Sequence, residues 1–247
     1  MKDLGELSYF LGIEVVKHGR SLILSQSKYA KDLLVKAGMY ECKPSPSPSS
    51  TKPAILDPDS SFEDSHWYRT IVGSLQYLTL TKPEISFAVN LACQHMHAPK
   101  QSHYIAVKRI LRYIKGCIHQ GLYFVPGPLH ITGFSDADWA GDHVDRRSTT
   151  GFCLFLGPNL ISWCAKKQHT VARSSTEAEY RALAQTAADV SWIQQLLLDV
   201  HIDVSLPHVI WCDNQSAIAL ASNPIYHART KHVEVDYHYI REKVLSK

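Results

Sequence analysis

Apolar and polar positions change their period several times along this chain of 247 residues. Tyr9-Phe10-Leu11-Gly12-Ile13-Glu14-Val15-Val16 and Ser21-Leu22-Ile23-Leu24-Ser25 are rich in β-branched and aromatic residues, and Lys17-His18-Gly19-Arg20 between them predicts a hairpin. Ser27 is placed to cap a short amphipathic helix that carries Tyr29, Leu33, Leu34 and Ala37 and stops at Gly38. Lys43-Pro44-Ser45-Pro46-Ser47-Pro48-Ser49-Ser50, with Pro53 and Pro58 after it, sets prolines at every second position. Proline lacks the amide hydrogen and fixes φ, so this stretch continues neither a helix nor a central strand and reads as a linker.

Three helical periods follow. The first runs from about Tyr68 through Ile71, Leu75, Tyr77 and Leu78 to Pro83, and the second from Ile85 through Ala88, Val89 and Leu91 to Met96. The third, Ile105 to Ile114, turns Ile105, Val107, Ile110, Leu111 and Ile114 inward and Lys108, Arg109, Arg112 and Lys115 outward, ending at Gly116. That basic face is a candidate nucleic-acid contact, and from charge alone an ordinary solvated face fits equally well.

From Gly121 the pattern changes. Leu122 to Val125, His130 to Asp136, Thr150 to Leu156 and Leu160 to Cys164 read as strands, with Gly157-Pro158-Asn159 turning between the last two. A long helix is predicted from Ser175 to about Val200, a strand from His208 to Asp213, a short helix from Gln215 to Ala221 and a last one from about Lys231 to Val244. This alternation implies an α/β fold, a mixed sheet with flanking helices. The chain thus divides into a hairpin and helix (1–42), a linker (43–66), a helical region (67–120) and an α/β domain (121–247).

Composition adds limits. With 45% apolar and 20% charged residues the chain is globular rather than disordered or fibrous. Its six cysteines form no C-x-x-C pair, which fits thiols in a reducing compartment. The start lacks the pattern of a signal peptide, and no apolar run approaches the roughly 18 residues of a membrane span. The expectation is a soluble intracellular protein without a membrane partner, with cytoplasm and nucleus unresolved. The net charge of +3 is uneven: residues 1–125 hold 15 Lys+Arg against 10 Asp+Glu (+5), and residues 126–247 hold 11 against 13 (−2). A basic front suits a polyanion and clustered acids behind it suit a divalent metal, although ordinary surfaces give such numbers too.

Three acids have informative settings. Asp136 and Asp213 end apolar strands, and Glu179 lies in the first turns of a helix, so the three can converge above a sheet edge. Converging carboxylates repel, and Mg²⁺, a hard ion preferring oxygen, relieves that. Two such ions about 4 Å apart clamp the attacking and leaving oxygens of a phosphodiester. Ser174-x-x-Glu177 fits a capping box, which assigns Glu177 to the helix end. Asp138 is either an outer ligand on the face of Asp136 or the start of the Ala140-Gly141-Asp142 turn.

The motifs Phe134-Ser135-Asp136-Ala137-Asp138-Trp139, Arg147-Ser148-Thr149-Thr150-Gly151-Phe152, Ser174-Ser175-Thr176-Glu177-Ala178-Glu179-Tyr180, Cys212-Asp213-Asn214-Gln215-Ser216 and Lys231-His232-Val233-Glu234-Val235-Asp236 resemble the ribonuclease H domain of copia-type retrotransposons. Leu7-Ser8-Tyr9-Phe10-Leu11-Gly12-Ile13-Glu14 is similar to the end of the family's reverse transcriptase. Tyr68 to Leu78 and Val107 to Tyr113 are similar to its thumb and connection. The resemblance covers essentially the whole chain. It implies a ribonuclease H-like sheet in which Asp136, Glu179 and Asp213 hold two Mg²⁺ ions, or Mn²⁺ in their place, with Asp138 and Glu234 as further ligand candidates. It also implies a water that cuts the RNA strand of an RNA–DNA hybrid. Lys166, Lys167 and Arg173 are candidate phosphate contacts, with plain surface cations the alternative. The upstream reverse transcriptase is the partner implied in an intact element.

Two departures from the family set further expectations. The paired polymerase aspartates are missing, so DNA synthesis by this chain alone is not expected. The strand and helix that carry the family's fourth carboxylate are missing too, and Glu234 or Asp236 is the only substitute at hand. The expectation therefore has two forms: a magnesium-dependent endonuclease, or an inactive nucleic-acid-binding remnant. Integrase-type enzymes place their glutamate after both aspartates, unlike this order.

Overall fold

A computed structural model describes residues 5, 7–50, 56, 58–222 and 234–245. The chain forms two compact units, 1–125 and 126–247.

Unit 1 runs β1 (Tyr9–Phe10), β2 (Ile13–His18), β3 (Ser21–Ser25), α1 (Ser27–Lys36), α2 (Ser65–Leu78), a 3₁₀ turn at Pro83–Ile85, α3 (Ser86–Cys93), α4 (Gln101–Gly116) and β4 (Leu122–Phe124). Its strands form an antiparallel sheet in the order β1-β2-β3-β4. The first expected strand is broken, because Leu11 (φ 46°) and Gly12 (φ 74°) form a two-residue turn that pairs Phe10 with Ile13. Both central residues at positive φ is the arrangement whose twist suits a tight hairpin. The N-cap of α1 is Gln26 rather than Ser27; the Ser27 hydroxyl instead donates to the Ile118 carbonyl at 3.3 Å. Leu33, Leu34, Ile71, Leu75, Leu78, Val107, Ile110, Leu111 and Ile114 build the core beneath these helices, whereas Ile105, expected inward, lies exposed in the first turns of α4.

The Pro/Ser-rich stretch, expected as a linker, is fastened to α4 over its described part. The Ser45 N–H donates to the Arg112 carbonyl at 3.0 Å, and Arg112 Nε donates to the Lys43 carbonyl at 2.8 Å. Arg109 donates from Nε to the Ser49 carbonyl and from Nη2 to the Ser47 hydroxyl, both at 2.9 Å. Prolines leave a run of carbonyl acceptors with few donors, and the guanidinium fork supplies what is lacking. The strand expected to open the second half is β4, and it closes the first: Leu22 pairs with Phe124 and Leu24 with Leu122. The division therefore falls between Val125 and Pro126 rather than ahead of Gly121.

Unit 2 runs β5 (His130–Ala137), β6 (Thr149–Leu156), β7 (Asn159–Lys167), α5 (Ser175–Asp199), β8 (Ser205–Trp211), α6 (Gln215–Ser222) and α7 (Glu234–Leu245). The sheet order is β7-β6-β5-β8, antiparallel except for the parallel β5–β8 pair. This is the mixed sheet with flanking helices read from the sequence. Ile131, Phe152 and Leu154 form one core cluster with Val190 and Ile193 of α5, and Ala137, Ala178 and Ala182 form another. Alanines at the start of α5 and Gly133 on β5 let helix and sheet approach closely; a Cβ at Gly133 would lie 3.3 Å from Thr186 Cγ2 of α5. On the other side of α5, Tyr180 and Leu183 cluster with Ala217 and Ala221 of α6 and Ile240 of α7. Among the described residues no helix is long and apolar enough to cross a membrane.

Candidate metal centre

Strand alternation positions the first acid. Ile131, Gly133, Ser135 and Ala137 of β5 are buried, which leaves Asp136 on the exposed side near the strand's end. Parallel pairing of Phe134 with Trp211 brings Asp213 to the same end of the sheet two residues later. β8 stops at Trp211, so Asp213 lies just past the strand, where the Asn214 side chain accepts from the Ala217 N–H at 3.0 Å and opens α6.

Glu179 comes from the N-terminal part of α5. There the Ser174 hydroxyl accepts from the Glu177 N–H at 3.2 Å, as a capping serine does. Glu177 itself accepts from the Arg173 N–H at 2.9 Å and from Arg181 at 2.7 Å, so it serves the helix end, as expected. Glu179 is only 6% exposed. It accepts a hydrogen bond from the Ala137 N–H, and the Asp136 carboxyl lies beside it. Burial, chiefly, pushes the Glu179 carboxyl up to about 7, and repulsion from Asp136 and Asp213 adds to this against the Ala137 hydrogen bond. Its Oε2 has no hydrogen-bond partner among the described residues. A buried oxygen in that position is costly, and a bound cation is one remedy.

The donor atoms of Glu179, Cys212 and Asp213 lie within 4.8 Å of one another. With Asp136 beside Glu179, the structure brings together all three acids singled out from the sequence. Their hard oxygens fit a divalent ion such as Mg²⁺. Cys212 was missed, and its only signal is its place beside Asp213. Burial, chiefly, and the three nearby acids push its thiol above the ordinary value, against a hydrogen bond with the Asn214 backbone.

The other candidates fare differently. Asp138 accepts from the Thr149 N–H, and its own N–H donates to the Thr149 carbonyl at 3.2 Å, so it closes the connection between β5 and β6. Lys167 is engaged by Asp142 at 2.5 Å and Asp145 at 2.8 Å. Lys166 and Arg173 are exposed. In unit 1, Arg109 and Arg112 hold the 43–50 segment, and Lys108 sits over the Tyr104 ring at 4.9 Å. The side chain of Glu234 lies outside the described residues. Asp236 is raised by burial and drawn down by Arg181, which places it by that guanidinium.

No family model matches the chain. It is 46% identical over 248 residues to the retrovirus-related Pol polyprotein of transposon RE2 and 47% identical to that of transposon RE1, both from Arabidopsis thaliana. Those alignments cover 100% of this chain and 17% of each polyprotein, so the chain spans about a sixth of their length. An uncharacterized mitochondrial protein of the same plant is 53% identical over 193 residues, which is 78% of this chain and 80% of that protein. Among solved structures, a ribonuclease H1 isolated from compost is 14% identical and covers 48% of this chain and 78% of its own. Its TM-score of 0.35 is too low to carry an argument.

Proposed function

This chain belongs to the Pol polyprotein family of copia-type retrotransposons, and from that premise we propose that its second unit hydrolyses the RNA strand of an RNA–DNA hybrid. The observation that carries the reading is the meeting of three acids from β5, α5 and the end of β8, one of them buried with an oxygen lacking a donor. Two Mg²⁺ ions, or Mn²⁺ in their place, are the cofactors that Asp136, Glu179 and Asp213 would hold. When bound, such ions supply positive charge at the attacking and leaving oxygens of a phosphodiester.

The chain's own contribution is positional. Neighbouring strands fix Asp136 and Asp213 at one end of the sheet. The Ala137 N–H orients Glu179, and the close packing of Ala178 and Ala182 on Ala137 fixes the helix that carries it. Lys166 and Arg173 are the phosphate contacts in this reading, and Lys108, exposed while Arg109 and Arg112 hold the 43–50 segment, is the candidate in unit 1. Ribose 2′-hydroxyls distinguish the strand to be cut. The upstream reverse transcriptase portion is the partner in an intact polyprotein.

The test is cleavage of an end-labelled RNA–DNA hybrid by the full chain in Mg²⁺, beside Asp136→Asn. The expected result is cutting by the native chain and a loss of about 100-fold or more in the variant, the size of effect seen when a group acting in the transition state is removed. Equal products from both proteins would overturn the proposal. Hybrid binding with no cutting by the native chain would replace it with the nucleic-acid-binding reading.

A further inference from the structure

We propose that Glu179, Cys212 and Asp213 form a second kind of metal site within the acid cluster, one that takes a thiophilic cation such as Zn²⁺ or Cd²⁺ in competition with Mg²⁺. The inference shares the acids of the proposed Mg²⁺ site but does not require that the chain cut RNA.

Two observations carry it. The donor atoms of these three residues already lie within 4.8 Å of one another, one of them a sulfur. The donors around a tetrahedral Zn²⁺, at bond lengths of about 2.0–2.3 Å, stand about 3.5 Å apart, so side-chain rotation of roughly an ångström completes the set. Independently, Glu179 is 6% exposed and its Oε2 meets no hydrogen-bond donor among the described residues, which leaves a buried acceptor for a cation.

Ligand chemistry then separates the ions. Mg²⁺ demands oxygen and sheds its waters reluctantly, so it gains nothing from the thiol. Zn²⁺ and Cd²⁺ bind thiolate strongly, and binding transfers the Cys212 proton to the buffer without any change of oxidation state. Occupancy by either ion removes Glu179 and Asp213 from an oxygen-only set, and Zn²⁺ then acts as an inhibitor of the site.

The experiment titrates Cd²⁺ into the full native chain and follows the ultraviolet thiolate-to-cadmium charge-transfer band, beside Cys212→Ser and Glu179→Gln. The expected result is a band that saturates at one equivalent in the native chain. It is lost in Cys212→Ser, and its midpoint is weakened about tenfold or more in Glu179→Gln. An undiminished band in Cys212→Ser would place the binding on the other five cysteines and overturn the proposal. A second measurement uses the native chain alone: the rate of iodoacetamide alkylation at Cys212, mapped by mass spectrometry. Equimolar Zn²⁺ is expected to slow it about tenfold and Mg²⁺ to leave it unchanged; equal rates with and without Zn²⁺ would overturn the proposal. Mg²⁺-induced thermal stabilisation of Cys212→Ser separates the two readings. If it persists while the cadmium band is absent from the native chain, the thiol site fails and the acid site stands.

Discussion

Replacing Glu179 by Gln should make the metal-free chain more stable at alkaline pH, the reverse of what loss of a buried side chain's interactions usually does. Glu179 is 6% exposed, and its carboxyl sits at about 7 instead of 4.5. At 1.36 kcal/mol for each tenfold change in proton affinity, ionising it in place costs about 3 kcal/mol, and about 2 kcal/mol once the exposed neighbours relax into solvent. The sign follows from linkage. The folded state binds this proton more tightly than the unfolded chain, so the contribution is fully present below 4.5 and is lost as pH rises through about 7. A neutral amide of the same shape keeps the Ala137 hydrogen bond and never ionises. The assay is thermal unfolding in chelator, followed by tryptophan fluorescence, because Trp139, Trp163, Trp192 and Trp211 report unit 2 against Trp67 alone in unit 1. Near pH 8 the variant is expected to melt about 6–10 °C above the native chain, with the difference vanishing below about pH 4. Millimolar Mg²⁺ should then raise the native melting temperature and leave that of Glu179→Gln unchanged. Native and variant melting together near pH 8 in chelator would refute the reasoning.

Other expectations are more local. Leu154→Ala, emptying an unexposed position in the cluster with Ile131, Val190 and Ile193, should cost about 2–5 kcal/mol by urea unfolding, and a cost under about 1 kcal/mol would remove it from the core. Gly133→Val pushes a side chain to 2.8 Å from Leu154 Cδ2 and 3.3 Å from Thr186 Cγ2, and should cost about 1–3 kcal/mol or more. Combined with Leu154→Ala it should cost less than the sum, and strict additivity would deny the clash. Lys167 holds the Asp142 carboxyl well below its ordinary 3.8, so their contribution is present above that value and lost as pH falls below it. The pair is partly exposed, so Lys167→Met should flatten the acid limb of the stability curve by about 1 kcal/mol or less, and an unchanged limb would count against the pair. Arg109→Ala removes two hydrogen bonds to the 43–50 segment and should speed its cleavage by proteinase K several-fold, while an unchanged rate would show that the arginine does not hold it.

What could be read from the sequence was what neighbours along the chain decide. Period-2 patterning and the Ser174 cap set the directions of Asp136 and Glu179, and the parallel β5–β8 pairing then made the acids meet. Three features escaped because their causes are distant or override propensity. The composition of 43–50 announces broken regular structure, but its hydrogen-bond donors are arginines some sixty residues away. Leu11 adopts a left-handed conformation that a leucine rarely takes, held by the pairing of Phe10 with Ile13. Cys212 reads as one more apolar strand residue; ending β8 at Trp211 frees it from the ladder and leaves its sulfur among the acids. Asp138 is tied to Thr149 by hydrogen bonds across the connection between β5 and β6, a partner that its place in the sequence does not announce.

Strand β4 imposes an order of assembly on unit 1. Its register joins Leu22 to Phe124, a contact spanning about a hundred residues, the kind of non-local pairing that slows folding because the loop must close before the contact rewards it. During synthesis the front hairpin emerges long before its outer partner, and the edge of β3 stays unpaired while every helix of the unit is being made. The last strand of the unit to leave the ribosome is thus the one that seals it.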